Sequence, residues 1–142
     1  MLFRSTQLLV AAGEQLPFTQ GDIQIRGHAI ECRINAEDPK TFMPSPGPVK
    51  TWHAPGGPGI RVDSHVYSGY NVPPNYDSMV AKLIAHGDTR ATAIARMRNA
   101  LSELVVEGIK TNRALHQEIL SHAAFGEGGL DIHYLERRLG LK

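Results

Sequence analysis

Arg33 is the residue of this sequence whose type and setting best suit a chemical role. It lies in the stretch ECRINAEDP, residues 31–39, between Glu31 and Asn35. Apolar and polar residues alternate from position 30 to position 35, which predicts a half-buried β-strand with a charged outer face. Arginine stays protonated and presents a planar fork of donors. The residues alone leave two interpretations open: a functional cation, or an arginine that is solvated or paired across the sheet.

Other features suggest familiar chemistry but lack the context that this chemistry needs. The glycine-rich GGPG at residues 56–59 precedes strand residues rather than the helix of a phosphate-binding loop, so it is interpreted as a turn. The seven histidines show no HExxH motif, and a single cysteine cannot complete a zinc site. SHV around His65 lacks a serine-nucleophile elbow. Spacing therefore predicts no metal site in this chain.

Length and charge limit the class of protein. A chain of 142 residues can form one domain with its own core, or one domain plus a piece of its neighbour. A net charge of +1 predicts no nucleic-acid or membrane partner. The apolar run at residues 8–12 is too short to span a membrane. The single Cys32 lies on the apolar face of the predicted strand and suits a reducing compartment, so we expect the cytoplasm or an organelle matrix.

The pattern of predicted elements is strands first and helices after, which is typical of an α+β fold. The APGGPG stretch at residues 54–59 is interpreted as the turn of a hairpin, and Asp88 as the cap of the helix that follows it. The predicted helices cover residues 3–12, 89–104, 112–123 and 132–139, and the predicted strands cover residues 23–36, 47–54, 60–66, 79–87 and 105–106.

Five stretches resemble one family, in order along the chain. They are GHAIECRINAEDP at 27–39, FMPSPGPV at 42–49, PNYDSMVAKLI at 74–84, IARMRNAL…EGIKTN ending at Asn112, and DIHYLERRLGL at 131–141. They resemble the C-terminal domain of biotin carboxylase, most of all the separate bacterial subunit of acetyl-CoA carboxylase. The resemblance implies antiparallel strands with flanking C-terminal helices. It identifies residues 1–22 as the end of an ATP-grasp domain plus a connector, and residues 23–142 as the C-terminal domain.

The resemblance also implies a reaction and a set of partners. Biotin carboxylase uses ATP and Mg²⁺ to activate bicarbonate as carboxyphosphate, and then carboxylates N1 of biotin on the biotin carboxyl carrier protein. This is the first half-reaction of acetyl-CoA carboxylase in fatty acid biosynthesis. The family's ATP-phosphate lysines, magnesium ligands and general base lie in the upstream N-terminal and ATP-grasp domains, so the chain alone is expected to be inactive. A homodimer and carboxyltransferase subunits are the other implied partners.

Arg33 matches the family's arginine that contacts the ureido oxygen of biotin. Removing the N1 proton builds negative charge on this oxygen, and a fixed cation stabilises the charged species more than neutral biotin. Glu31 and Asn35 are expected to share the face of Arg33 and to support it. Asp77 lies in a loop whose family counterpart is near the biotin end of the cleft, with an ordinary loop residue as the alternative.

Two further pairs of residues carry implied contacts. Ile132 and His133 match positions that approach the adenine of ATP, although Ile132 is also compatible with a core residue at a helix start. Arg61 and Pro58 match a region of the family's homodimer interface. Some relatives have an aromatic residue at the position of Pro58, so this contact is expected to be weaker here.

Two alternatives to this assignment remain at the level of sequence. The chain is also compatible with a non-catalytic structural or dimerisation module. It is compatible as well with the same domain of a propionyl-CoA, methylcrotonyl-CoA or pyruvate carboxylase. Its last residues, RRLGLK, are not followed by a biotin-attachment sequence, which favours the free-standing subunit.

Overall fold

A computed structural model describes the backbone of residues 2–140 and the side chains of residues 5–140. Met1, Leu141 and Lys142, which fall within the two predicted domains, lie outside the described residues. The helices are α1 (Leu2–Ala11), α2 (Arg90–Glu103), α3 (Arg113–Ser121), α4 (Ala123–Glu127) and α5 (Tyr134–Arg138), with a 3-10 turn at Gln20–Asp22. The strands are β1 (His28–Asn35), β2 (Gly47–Pro48), β3 (Thr51–His53), β4 (Ile60–Ser64), β5 (Asn71–Val72), β6 (Met79–Gly87) and β7 (Val105–Glu107).

The main sheet consists of three antiparallel strands in the order β1-β6-β4, so that β6 is central and β1 is an edge. Arg33 faces Lys82 across the first pair of strands, and Lys82 faces Asp63 across the second. Residues that face each other in an antiparallel pair lie on the same side of the sheet. These three charged residues therefore form a row across its outer face. Two small sheets, β2-β5 and β3-β7, complete the strand pairing.

The inner face of the main sheet packs against α2. Cys32 and Ile34 of β1 are buried while Arg33 is exposed, as the alternating pattern predicts. Met97 and Leu101, four residues apart on α2, are fully buried on the facing side of the helix. The chain therefore has an α+β fold with one core between the sheet and this helix. That core contains Cys32, Ile34, Ala36, Val49, Val66, Val72, Val80, Ala81, Leu83, Ala85, Met97, Ala100, Leu101, Leu104 and Leu120.

The predicted hairpin around APGGPG is wrong. β3 pairs with β7 and β4 pairs with β6, so the strands on the two sides of this turn belong to different sheets. The turn itself is confirmed, because Gly57 and Gly59 have φ angles of 107° and 76°. A positive φ redirects the chain locally, but it does not select the strand with which the following segment pairs.

Several boundaries also differ from the prediction. β1 begins at His28 rather than at residue 23, because residues 23–26 form no regular structure and Gly27, with a φ angle of 71°, turns the chain immediately before the strand. The predicted strand at 47–54 is divided, since the chain there changes partner: Val49 N donates to Tyr70 O and Lys50 N donates to Glu107 O.

The helices also differ from the prediction at two places. Thr89 rather than Asp88 caps α2, with its Oγ1 accepting from the backbone of Thr92 at 3.2 Å. The helix α4 was not predicted.

The segment before β1 is largely exposed in the residues whose side chains are described, and none of them is buried. Leu8 of α1 is 73% exposed and Ile25 is 96% exposed, so neither contributes to the core. The core is formed instead by residues from Cys32 onward. Within residues 2–140, no helix is both long enough and apolar enough to cross a bilayer.

Candidate functional site

The side chain of Arg33 extends from the outer face of the main sheet. Its exposed fraction is 67%, and its Nε lies 3.4 Å from Oε1 of Glu31. Glu31 is two residues earlier on the same strand, so it shares the face of Arg33 as predicted. An exposed ion pair of this kind contributes little to stability. Its effect is to limit the directions that the guanidinium can take.

Asn35, two residues after Arg33, has a different side-chain partner. The register of β1 against β6 shifts between Ile34 and Asn35, which indicates a β-bulge or a similar irregularity. Asn35 Nδ2 donates to Oε1 of Glu37 at 3.2 Å. The residue left unmatched by this shift is Val80 of β6, and the alternation of buried and more exposed residues along β1 continues through Ala36, so Asn35 keeps the face of Arg33. Its support of Arg33 stays a prediction.

The backbone of Arg33 is held from the opposite edge of β1. Nδ2 of Asn112 donates to Arg33 O at 3.1 Å, and His116 Nε2 lies 2.8 Å from the same oxygen. Asn112 precedes α3 and His116 lies within it. The helix thus fixes the main chain from which the guanidinium extends.

The loop that contains Asp77 meets the same end of the sheet. Ala36 N donates to Ser78 O at 2.7 Å, so this loop continues the pairing of β1 beyond Asn35. Oδ1 of Asp77 accepts from the backbone of Met79 at 2.8 Å. Tyr76, beside it, is 81% exposed. Asp77 therefore has a structural contact of its own, and it lies close in the fold to the strand of Arg33.

Ile132 and His133 lie on the segment that leads into α5. Ile132 is 89% exposed, so its interpretation as a core residue is wrong. His133 Nδ1 lies 2.9 Å from Oε2 of Glu136, and His133 N donates to Asp131 at 2.9 Å. An isoleucine this exposed is available for an apolar contact with a ligand or another domain.

Arg61 and Pro58 lie at the other edge of the main sheet. Nε and Nη2 of Arg61 contact the two carboxylate oxygens of Asp63 at 3.0 and 2.8 Å, and this pairing raises the pKa of Arg61. Pro58 is exposed in the turn before β4. Its turn borders a shallow cleft against α2, lined on the helix side by Arg96, Asn99 and Glu103.

The described side chains do not form a metal-binding cluster. Among the side chains that the structure describes, no three of the types His, Cys, Asp and Glu lie together so that they could hold a metal ion. The single cysteine, Cys32, is buried beneath the sheet.

Comparison with known proteins relates this geometry to a family. A family model described as the biotin carboxylase C-terminal domain matches residues 31–137. The biotin carboxylase of Pseudomonas aeruginosa is 66% identical over 134 residues, which are 94% of this chain and 30% of that protein. The chain belongs to the biotin carboxylase C-terminal domain family. It spans about 30% of the length of this relative.

Solved structures of biotin carboxylases share the fold. The Campylobacter jejuni biotin carboxylase complex with β,γ-ATP matches 92% of this chain and 29% of that chain, with a TM-score of 0.87 and 45% identity. The biotin carboxylase domain dimer of Hydrogenobacter thermophilus 2-oxoglutarate carboxylase was solved with MgADP and bicarbonate. It matches 93% of this chain and 29% of that chain, with a TM-score of 0.90 and 44% identity. The α+β fold is therefore that of the biotin carboxylase C-terminal domain.

Sequence reasoning missed the two residues that hold the backbone of Arg33. Asn112 ends the EGIKTN stretch, where an asparagine before a helix indicates an N-cap. His116 is one of several polar residues on a helix with an apolar stripe. That signal indicates a hydrogen bond to the first turn of the helix itself. The side chain of Asn112 bonds to β1 instead, and only the tertiary structure brings α3 beside β1.

Proposed function

We propose that this chain is the C-terminal part of a biotin carboxylase of the acetyl-CoA carboxylase type. The complete enzyme would be a cytoplasmic, ATP-dependent ligase that carboxylates N1 of biotin on a biotin carboxyl carrier protein, for fatty acid biosynthesis. The family match and the 66% identity to the P. aeruginosa enzyme support this proposal. Its carboxyltransferase partners would then act on the product of this half-reaction.

Arg33 is the proposed catalytic residue of this part of the enzyme. Negative charge develops on the ureido oxygen of biotin when N1 loses its proton, and a preorganised cation there lowers the barrier. The observation that carries the proposal is an exposed guanidinium on a strand whose backbone is bonded to α3. Such a group can meet a ligand without rearrangement of the sheet. Asp77 is a second proposed contact, from the adjoining loop.

Ile132 and His133 form part of the proposed nucleotide wall. When bound, ATP supplies the phosphoryl group that activates bicarbonate, and Mg²⁺ neutralises its phosphate charge. The exposed Ile132 fits an apolar contact with the face of the adenine. The phosphate and magnesium ligands would come from the upstream ATP-grasp domain.

The homodimer contact is proposed for the turn and strand that carry Pro58 and Arg61. Both residues are exposed, and they lie beside the shallow cleft against α2. Arg61 presents a positive charge whose position is limited by Asp63. A second copy of the chain is the proposed occupant of this surface.

The role of Arg33 can be tested in a full-length biotin carboxylase that carries this chain as its C-terminal part. Arg33→Ala should slow carboxylation of biotin by about a hundredfold or more, because losing one donor to a developing oxyanion costs ~3 kcal/mol. Bicarbonate-dependent ADP release should stay largely intact, since ATP is activated by other residues. Arg33→Lys should recover only part of the activity, because lysine keeps the positive charge but lacks the planar fork of donors of the guanidinium.

The control is Arg98→Ala, which removes an exposed arginine on α2, away from the proposed site. It should change neither rate. ADP release and carboxybiotin formation are measured on the same preparations, with folding checked by circular dichroism. Equal losses of both rates in Arg33→Ala would contradict the proposal, and so would the absence of any loss.

A further inference from the structure

Asn112 occupies a helix-capping position without capping the helix. It precedes α3, and its side chain makes no cap hydrogen bond there. Only 8% of the residue is exposed. An asparagine at this position ordinarily accepts from a backbone N–H of the first helical turn. Since this side chain is buried and directed elsewhere, stabilisation of the helix start does not account for it.

The side chain of Asn112 instead pairs with the edge of β1 as another strand would. Its Oδ1 accepts from Asn35 N at 2.9 Å, while its Nδ2 donates to Arg33 O at 3.1 Å. The backbone N of Asn112 also donates to Asn35 O, at 3.2 Å. An edge strand otherwise leaves such groups unpaired. The amide therefore pairs with the outer edge of β1 next to the point where the register of β1 against β6 shifts.

His116 adds a second contact to the same carbonyl. Its Nε2 lies 2.8 Å from Arg33 O, and because a carbonyl can only accept, Nε2 carries the hydrogen. Burial lowers the pKa of His116, and the bond to Arg33 opposes this to a smaller extent. A neutral imidazole in this tautomer is sufficient for the contact. Arg33 O thus accepts from two side chains of one helix.

We propose that the side chains of Asn112 and His116, here called the clamp, are positioning residues for Arg33 in the carboxylation of biotin. The inference rests on the proposed function. The side chain of Arg33 is exposed, so its direction depends on the main chain from which it extends and on the pair with Glu31. A displacement of about 1 Å at a reacting group can cost about a hundredfold in rate. The clamp acts on Arg33 only through the backbone.

The experiment uses the full-length biotin carboxylase that carries this chain. His116→Leu and Asn112→Ala should lower kcat for carboxybiotin formation by about 10- to 100-fold. They should leave bicarbonate-dependent ADP release within about twofold, because that step does not use Arg33. His116→Gln keeps an N–H donor at a similar reach and should recover most of the loss. If Asn112→Ala does not fold, the His116 pair of variants provides the test.

The matched control is Arg113→Met. Arg113 is also on α3 and also donates to a main-chain carbonyl, that of Leu104 at 2.6 Å, but this carbonyl is not on β1. Its loss should destabilise the fold to a similar degree and should not change the ratio of carboxybiotin to ADP. A drop in that ratio for both clamp residues, but not for Arg113→Met, would support the inference.

Arg33→Ala, measured in parallel, distinguishes the two possible failures. If it lowers the ratio while folded clamp variants keep the wild-type value, the positioning inference is wrong and the proposed function stands. If Arg33→Ala leaves the ratio unchanged, the positioning inference and the proposed role of Arg33 are both wrong. Equal losses of ADP release and carboxybiotin formation in the clamp variants would also overturn the inference, because they would indicate a general structural role.

Discussion

Arg33 lies on a face of the sheet where positive and negative side chains stand next to one another. Arg33 faces Lys82 on the neighbouring strand, and like charges in this arrangement are destabilising. Asp63 faces Lys82 from the other side, and Glu31 pairs with Arg33. The two carboxylates reduce the repulsion without removing the exposed guanidinium. The exposed guanidinium itself, rather than a net positive face, is therefore the group that suits the stabilisation of a ligand's oxyanion.

Cys32, the residue next to Arg33, is buried on the inner face of the sheet. The thiol is 4% exposed, and burial, with a smaller effect from Glu31, raises its pKa to about 12. A thiol reacts as its thiolate, so a raised pKa and a covered sulfur should both prevent reaction.

We therefore predict that Cys32 does not react with Ellman's reagent at pH 8 while the chain is folded. In guanidinium chloride it should react rapidly, with one equivalent per chain, since this is the only cysteine. The unfolded chain serves as the internal control. Rapid reaction of the folded chain would mean that the sulfur is reached by solvent, and that Cys32 is not the core residue described here.

At the scale of elements, one ion pair ties the loop after β1 to the segment before α3. Lys110 Nζ lies 2.7 Å from Oδ2 of Asp38. Oδ1 of the same carboxylate accepts from the backbone of Lys40 and Thr41. The hydrogen bond from Lys110, followed by those of the two backbone groups, lowers the pKa of Asp38 well below its usual range. The pair thus connects the neighbourhood of Arg33 to the helix that carries the clamp.

A carboxylate with a lowered pKa in the folded state stabilises the fold above its unfolded-state pKa of about 3.9. This contribution is lost as the pH falls through the folded-state pKa. We predict that Asp38→Asn flattens the fall in melting temperature between about pH 5 and pH 2, and has its largest effect at neutral pH. Lys110→Met should reproduce most of the change. If the two variants keep the wild-type pH dependence, the pair does not couple these elements.

At the scale of the whole molecule, many of the exposed large hydrophobic residues lie in the N-terminal segment of the chain. The segment before β1 exposes Leu8, Leu16, Phe18 and Ile25, whereas the residues from β1 onward form the core. That the first 22 residues belong to the end of an ATP-grasp domain and its connector stays a prediction. In the proposed enzyme, that upstream domain would cover these side chains.

Self-association depends on the outer surface of the whole molecule. We expect the chain to form a weak dimer through the surface of Pro58 and Arg61, because proline buries less area than an aromatic residue would. Arg61→Glu should weaken this dimer further, since it reverses a charge at the contact and opposes Asp63. Sedimentation velocity over a concentration series measures both effects.

Arg98→Glu makes the same charge change on an exposed position of α2 and should leave association unchanged. Circular dichroism checks that the Arg61 variant keeps its fold. A tight dimer that Arg61→Glu does not affect would place the contact elsewhere on the molecule.

The sequence by itself determined the features that depend on short-range order. The β6 strand was predicted at its observed bounds, and α2 within one residue at each end, because their apolar patterns are regular over many residues. The exposed direction of Arg33 follows from the alternation of β1, and the family follows from five stretches in order. Each of these depends on neighbours along the chain.

Only the tertiary structure decided which segments meet. The φ angles of Gly57 and Gly59 are local, but the pairing of β3 with β7 depends on which distant strand lies beside it. The same holds for Asn112: an asparagine immediately before a helix is typical of a cap, yet its amide bonds to β1, about 80 residues away. Ile132 likewise has the residue type of a core position and is exposed. Burial and non-local hydrogen bonds are properties of the packed chain, so spacing within a segment cannot specify them.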